Sequence, residues 1–141
     1  MRTILFMLLA LVSLRCAQQE ESAAPPPPPS SPAVVGEMTV KEFDALRQQG
    51  SAPFLLDVRN PEEVEIASMG ADLLIPLGEL PARMGELAAY RDQPIVVHCR
   101  TGRRSAQAAQ ELVDAGFTHV INLKGGIQAW SQEIDPTVPQ Y

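Results

Sequence analysis

The chain has 141 residues, which is enough for one domain, and its formal net charge of −6 at pH 7 argues against a nucleic-acid partner. Its two cysteines, Cys16 and Cys99, are too few for a disulfide scaffold. Neither has cysteine or histidine neighbours at the spacing of a zinc site, so we expect no metal site.

The first 16 residues have the pattern of an export signal. Arg2 precedes ILFMLLALVSL, an 11-residue, mostly apolar segment. A permanent membrane-spanning helix needs about 20 apolar residues, so this segment is too short to be one. We therefore expect residues 1–16 to direct export, and the protein to work in a bacterial periplasm.

Two ways of processing this signal remain open. Cys16 stands where a bacterial lipoprotein carries its lipidated cysteine, and lipidation would anchor the chain to a membrane. Arg15 departs from the small residue that usually precedes such a cysteine. The alternative is ordinary cleavage after Ala24, where Ser22 and Ala24 provide the small residues. The lipid anchor is slightly preferred, because the stalk that follows makes most sense when its far end is held.

Residues 17–36 are a proline-rich linker that contains AAPPPPPSSPA. Proline fixes φ and donates no backbone hydrogen bond, so this segment is expected to form an extended polyproline stalk. A stalk after an export signal suits a domain held away from a membrane, and it equally suits a flexible N-terminus.

Apolar strands alternate with helical patterns over residues 37–141, which we expect to be one folded domain. The predicted helices are MTVKEFDALRQQG, NPEEVEI, GELPARMGELAAY, RSAQAAQELVDAG and GGIQAWSQEI, and the predicted strands are APFLLDVR, DLLIPL, PIVVHC and HVINL. Thr39 and Glu42 are spaced for a capping box at the start of the first helix, and Gly50 ends it. Because the strands are apolar on both faces, the pattern predicts an α/β fold with a parallel sheet and helices on both of its faces. In such sheets ligands bind beyond the carboxyl ends of the strands, and Cys99 lies at one such end.

The segment from Cys99 to Arg104 connects the strand PIVVHC to the next helix. Gly102 permits a tight loop with inward-pointing amides, and the start of the helix adds its positive dipole end. Three arginines lie in the same short segment of an acidic protein. Together these features predict an anion site in which Cys99 is a thiolate. Taken one at a time, they also fit a buried cysteine, an ordinary turn and solvated arginines.

This loop resembles the active-site loop of the rhodanese family of sulfurtransferases, in which a cysteine is followed by glycine, arginine and serine at these offsets. LLDVRNPEEVEIASMGADLLIPLGEL and NLKGGIQAW are similar to two further family segments, so the resemblance covers nearly all of residues 37–141. The final IDPTVPQY resembles a narrower subgroup, the rhodanese domains fused to adenylyltransferases that sulfurate ubiquitin-like carrier proteins.

The resemblance implies a rhodanese-like fold and a role for individual residues. Cys99 would be the catalytic nucleophile, with Asp57 and Arg59 as structural support for the fold and the loop. Four residues lie between Cys99 and Arg104, whereas related phosphatases have five between Cys and Arg, so the pocket is sized for a single sulfur atom. The substrate would be bound by the rest of the loop, namely Arg100, Thr101, Gly102, Arg103 and Arg104.

For two other residues, His98 and Trp130, the pattern favours a structural role over a functional one. His98 directly precedes the nucleophile, but alternation along a strand points its side chain to the opposite face, so we do not expect it to be a general base. Trp130 is spaced with Ile127 and Ile134 as on one face of a helix, which predicts core packing.

Together these expectations describe a sulfurtransferase that needs no metal or organic cofactor. The Cys99 thiolate would take a sulfane sulfur from an anionic donor such as thiosulfate, hold it as a persulfide and pass it to cyanide or a small thiol. The alternative is a sulfane-sulfur carrier or binding module that turns over nothing alone and delivers sulfur to an acceptor protein. Fast thiosulfate:cyanide transfer would favour the enzyme, and a persulfide discharged only by one partner protein would favour the carrier.

Overall fold

The computed structural model of the protein describes residues 34–141. A five-stranded parallel sheet forms the centre of the fold. The strands are β1 (Gly36–Met38), β2 (Phe54–Asp57), β3 (Leu73–Leu74), β4 (Ile95–His98) and β5 (Val120–Leu123). Their order across the sheet is β1-β5-β4-β2-β3, and every neighbouring pair is parallel. The carboxyl ends of all the strands therefore meet at one edge. The fold class predicted from the sequence, α/β with a parallel sheet, is confirmed.

Helical segments connect the strands. The α-helices are α1 (Val40–Gln48), α2 (Pro61–Ile66), α3 (Leu80–Arg83), α4 (Arg103–Asp114) and α5 (Gly126–Glu133). Short 3-10 segments flank α3 at Leu77–Glu79 and Met84–Tyr90. At the start of α1, the hydroxyl of Thr39 accepts from the amide of Glu42, and the Glu42 carboxylate accepts from the Thr39 amide at 2.8 Å. The predicted capping box is present, and the helix ends before Gly50, whose φ is +69°.

The core has two layers, one on each face of the sheet. On one face, Leu56 and Val97 pack with Ala108 and Leu112 of α4. On the other face, alternate strand residues pack against α1 and α5. These two helices are joined by an edge-to-face contact between Phe43 and Trp130, whose ring centroids are 6.3 Å apart. Helices on both faces are thus observed, and Trp130 has the core position that its spacing predicts.

The structure differs from the sequence prediction at the edges of the sheet. The sequence predicts no strand at Gly36–Met38, because three residues are too few to show a hydrophobic period, yet β1 pairs with β5 and begins inside the predicted linker. The segment DLLIPL yields only the two-residue strand β3. The predicted helix GELPARMGELAAY is divided into α3 and its two 3-10 neighbours.

Several predictions concern residues outside the described range. These are the export signal at residues 1–16, most of the linker at residues 17–36, the lipidation of Cys16 and the cleavage after Ala24. Among residues 34–141, no helix has the length and apolar character that a membrane span requires.

Candidate active site

Cys99 directly follows β4 and lies at the carboxyl edge of the sheet. It is only 1% exposed and belongs to the core layer under α4. The loop that follows is short, since α4 already begins at Arg103. Gly102 caps α4 with φ +97°, and a Cβ there would lie 3.1 Å from the backbone nitrogen of Gly125. A glycine is therefore needed where this loop passes the start of α5.

The start of α5 fixes the loop from the other side. The amides of Ile127 and Gln128 donate to the carbonyl oxygens of Cys99 and Arg100, at 2.9 and 3.0 Å. These amides are among the donors that a helix N-terminus leaves free, so α5 holds the loop carbonyls toward itself. A Cβ on Gly126 would lie 2.8 Å from the carbonyl carbon and oxygen of Arg100, so only glycine allows this approach.

The thiol of Cys99 lies among hydrogen-bond donors. The Gly102 amide donates to Sγ at 3.2 Å, and the Ser105 hydroxyl lies 3.5 Å from it. Burial raises the pKa of Cys99, but hydrogen bonds from the Ser105 hydroxyl and from the amides of Ser105, Gly102 and Thr101 outweigh it and bring the pKa below its ordinary value of 9.0. These hydrogen bonds stabilise the thiolate relative to that of an ordinary cysteine, and they, rather than the arginine charges, are the main stabilising cause.

Ser105 has a second partner that competes for its proton. Its hydroxyl lies 2.7 Å from Oδ1 of Asn122 on β5, and both residues are buried. A hydroxyl has one proton, so Ser105 donates either to Asn122 or to the Cys99 thiolate at any moment. Ser105 is the serine of the loop pattern that resembles the rhodanese family, but the sequence does not predict its contact with Asn122, because nothing in the spacing joins a residue of α4 to one of β5.

The three loop arginines are not equivalent. A pocket of about 320 Å³ is lined by Arg100, Thr101, Arg103 and Arg104. Arg104 forms two hydrogen bonds, of 2.7 and 2.6 Å, with the carboxylate of Glu63 on α2. These bonds are the largest cause that lowers the pKa of Glu63 to about 2. Glu63 thus balances the charge of Arg104.

Arg100 and Arg103 line the same pocket without an acidic partner among the described residues. Within residues 34–141, neither of them forms a salt bridge. The guanidinium of Arg100 lies over the ring of Tyr141, 4.7 Å from the ring centroid. The pocket therefore presents two positive charges that have no acidic partner among the described residues, in the loop that follows Cys99, which suits an anionic substrate.

Asp57 and Arg59 form a buried ion pair next to the site. Arg59 is fully buried and Asp57 is 2% exposed, and two guanidinium nitrogens of Arg59 bond the Asp57 carboxylate. Arg59 also donates to the carbonyl of Ala67 at 3.0 Å and to the hydroxyl of Tyr141 at 2.8 Å. These contacts join β2, α2 and the C-terminal segment, and they support the structural role expected of the pair.

His98 lies on the other face of the sheet from the thiol. Its Nε2 is 3.4 Å from the carboxylate of Asp57, and the side chain is fully buried. Burial is the main cause that lowers the pKa of His98 to about 4. The imidazole is therefore neutral at pH 7, and its place agrees with the expectation that it is not a general base.

The sequence interpretation also missed Glu63 and Tyr141. Glu63 has the spacing of an ordinary acidic residue in the first turn of a helix, and the Asn60 amide does donate to it at 3.1 Å. Tyr141 lies within IDPTVPQY, a segment whose resemblance to a subgroup assigns no role to individual residues. The spacing of these residues gives no signal, because Glu63 lies 41 positions before Arg104 and 78 positions before Tyr141.

Comparison with known proteins places this geometry in a family. Residues 39–133 match the model of the rhodanese-like domain. A sulfurtransferase of Allochromatium vinosum is 39% identical over 84 residues, which are 60% of this chain and 77% of that protein. An adenylyltransferase and sulfurtransferase of Zea mays is 36% identical over 109 residues, which are 74% of this chain. The match spans only 23% of that longer protein.

The fold leads to the same family. The crystal structure of a rhodanese-related protein from Thermoplasma volcanium aligns with a TM-score of 0.61 and 32% identity, covering 75% of this chain and 99% of that one. The family model extends from the capping residue of α1 to the end of α5, and the loop of Cys99 lies within it. The chain belongs to the rhodanese-like domain family.

Proposed function

We propose that this protein transfers a sulfane sulfur from an anionic donor such as thiosulfate to a thiophilic acceptor through a persulfide on Cys99. Membership of the rhodanese-like family and the similarity to proteins named sulfurtransferases support sulfur transfer in general. The observation that carries the finer proposal is the environment of the thiol, in which Gly102 and Ser105 offer donors to Sγ and the loop that follows Cys99 lines a pocket with arginines.

The first step forms the persulfide. The Cys99 thiolate attacks the outer sulfur of thiosulfate, and a bond forms between Sγ and that sulfur. The bond between the two thiosulfate sulfurs breaks, and sulfite leaves with its electron pair. Arg100 and Arg103 attract the dianionic donor, and the donors around Sγ stabilise the negative charge that moves onto the terminal persulfide sulfur.

The second step returns the enzyme to its starting state. Cyanide or a thiolate attacks the terminal sulfur, which leaves Cys99 as a thiolate and releases thiocyanate or an acceptor persulfide. Cys99 is the one free cysteine among residues 34–141, so within this domain no second thiol resolves the persulfide. If Cys16 is lipidated or removed with the signal, the acceptor is a separate molecule.

A direct assay tests both steps. Thiosulfate alone should add one sulfur atom, 32 Da, to Cys99, as read by mass spectrometry of the intact chain, and cyanide should then remove it as thiocyanate. Failure of Cys99 to gain sulfur would contradict the proposal. A persulfide that forms but resists cyanide and small thiols, and is discharged by one partner protein, would instead favour the carrier.

We also propose that the protein works outside the cytoplasm, in a bacterial periplasm, attached to a membrane through Cys16. The apolar segment after Arg2 and the proline-rich stretch that follows support this location. A single acyl chain binds membranes weakly, so stable attachment requires the several chains of a bacterial lipoprotein. Fractionation of wild type and Cys16→Ala tests the anchor. A wild type that is soluble in the periplasm would refute the anchor, and one that stays in the cytosol would refute export.

A further inference from the structure

The C-terminal segment that follows α5 is packed against the active-site loop. Its Val138 is buried in the core layer of α1 and α5, and the hydroxyl of Ser131 on α5 donates to the Val138 carbonyl at 2.6 Å. The segment thereby brings Tyr141 to the loop of Cys99, where its ring lies 4.7 Å from the guanidinium of Arg100.

The hydroxyl of Tyr141 stands between two charged groups with a defined direction. Arg59 can only donate, and it does so to the Tyr141 oxygen at 2.8 Å. The ionised carboxylate of Glu63 can only accept, and its Oε1 accepts a hydrogen bond from the Tyr141 hydroxyl at 3.1 Å. The same carboxylate binds the guanidinium of Arg104. The four side chains form a continuous chain of charge-assisted bonds that starts at a fully buried arginine and ends at the pocket.

We propose that Tyr141 determines donor specificity by positioning the two loop arginines that it reaches, Arg100 through its ring and Arg104 through Glu63. This inference rests on the proposed sulfur transfer and adds a residue from outside the Cys99 loop. This cation–π contact uses no hydrogen-bond acceptor, so the N–H groups of Arg100 remain available for an anion. The carboxylate of Glu63, ordered by Tyr141 and by the Asn60 amide, holds Arg104 at the rim of the same pocket.

The positioning of arginines should matter in proportion to the charge of the donor. Thiosulfate carries two negative charges, and methanethiosulfonate, in which a methyl group replaces one oxygen, carries one. Both give the Cys99 persulfide, with sulfite or methanesulfinate as the leaving group. The ratio of their KM values therefore reports on the arginines, while differences in intrinsic reactivity cancel between wild type and variant.

Two substitutions separate the ring from the hydroxyl. Tyr141→Phe keeps the ring over Arg100 and removes the bonds to Arg59 and Glu63, whereas Tyr141→Leu removes both. Tyr90→Phe is the matched control, because Tyr90 stacks on Phe54 at 4.0 Å, at the opposite end of β2 from the site. We expect Tyr141→Leu to raise the KM for thiosulfate about two- to fivefold more than the KM for methanethiosulfonate, the range of a partly exposed cation–π contact. Tyr141→Phe should have a smaller effect of the same sign, and Tyr90→Phe none.

Further measurements distinguish a failure of the Tyr141 proposal from a folding defect and from a failure of the proposed sulfur transfer. Near-ultraviolet circular dichroism identifies folded variants, and Tyr141→Phe serves if Tyr141→Leu does not fold. Sulfite should protect Cys99 of wild type from alkylation at lower concentration than it does in Tyr141→Leu, a binding readout that needs no turnover. In an Arg100→Gln background, Tyr141→Leu and Tyr141→Phe should become equivalent. Equal changes in KM for both donors, or unchanged protection by sulfite, in folded variants would overturn the role of Tyr141 even if wild type transfers sulfur.

Discussion

The ion pair between Glu63 and Arg104 makes a prediction about stability and pH. We consider Glu63→Gln, which keeps the shape of the side chain and removes its charge. The pKa of Glu63 falls from 4.5 to about 2 in the folded protein, chiefly because of its hydrogen bonds with Arg104. At about 1.36 kcal/mol per pKa unit, this difference sets an upper limit of about 3.4 kcal/mol on the stabilisation. The side chains of Glu63 and Arg104 are 19% and 31% exposed, so screening by solvent lowers the expected loss to about 1–2 kcal/mol.

The sign of the pH dependence follows from the direction of the shift. A carboxylate with a lowered folded pKa stabilises the protein fully above its unfolded pKa, near 4.5, and loses this effect as the pH falls toward 2. At pH 3.5 roughly two fifths of the contribution should be gone. The difference in unfolding free energy between wild type and Glu63→Gln should therefore be smaller at pH 3.5 than at pH 7.

Urea unfolding of the purified proteins at the two pH values measures these differences, with equal m-values as the condition for comparison. Glu62→Gln is the matched control, because Glu62 neighbours Glu63 on α2, is exposed and forms no ion pair within residues 34–141. Its substitution should change the unfolding free energy by a few tenths of a kcal/mol. An equal loss at pH 7 and pH 3.5 for Glu63→Gln, or no loss at pH 7, would show that the charge of Glu63 does not stabilise the fold.

Other predictions concern the thiol and the loop. Cys99→Ser should lose more than about 10³-fold in thiosulfate:cyanide transfer while keeping its fold by circular dichroism, and activity near wild type in the folded variant would end the proposed mechanism. The rate of Cys99 alkylation against pH should have its midpoint below 9.0, and Ser105→Ala should move that midpoint to higher pH because a donor to the thiolate is lost; an unchanged midpoint would remove Ser105 from this role. Gly126→Ala should cost more than about 1 kcal/mol of stability in urea, because its Cβ would meet the carbonyl of Arg100 and its φ is +54°. Gly85→Ala is the control, since nothing lies within 4 Å of a Cβ there, and equal stability of the two variants would contradict the close approach of α5 to the loop.

Local chemistry makes most of the fold predictable. The capping box of Thr39 and Glu42 sets the start of α1, and the apolar run ending in His98 predicts a buried strand. Cys99 is therefore placed at the carboxyl edge of a parallel sheet by short-range patterns alone. The same patterns fail for β1, which is three residues long and exists because β5 pairs with it.

The candidate site likewise combines features that follow from chain neighbours with features that depend on distant contacts. Residues that are neighbours in the chain suffice to predict Cys99 as the nucleophile, a glycine at the tight loop and the positive character of the segment. The partner that balances a loop arginine is known only from the fold, since Glu63 meets Arg104 across 41 positions. Tyr141 likewise meets Arg59 across 82 positions. The packing of α2 and of the C-terminal segment against the loop brings these groups together. Charge at the pocket is thus set by partners that no local spacing reveals.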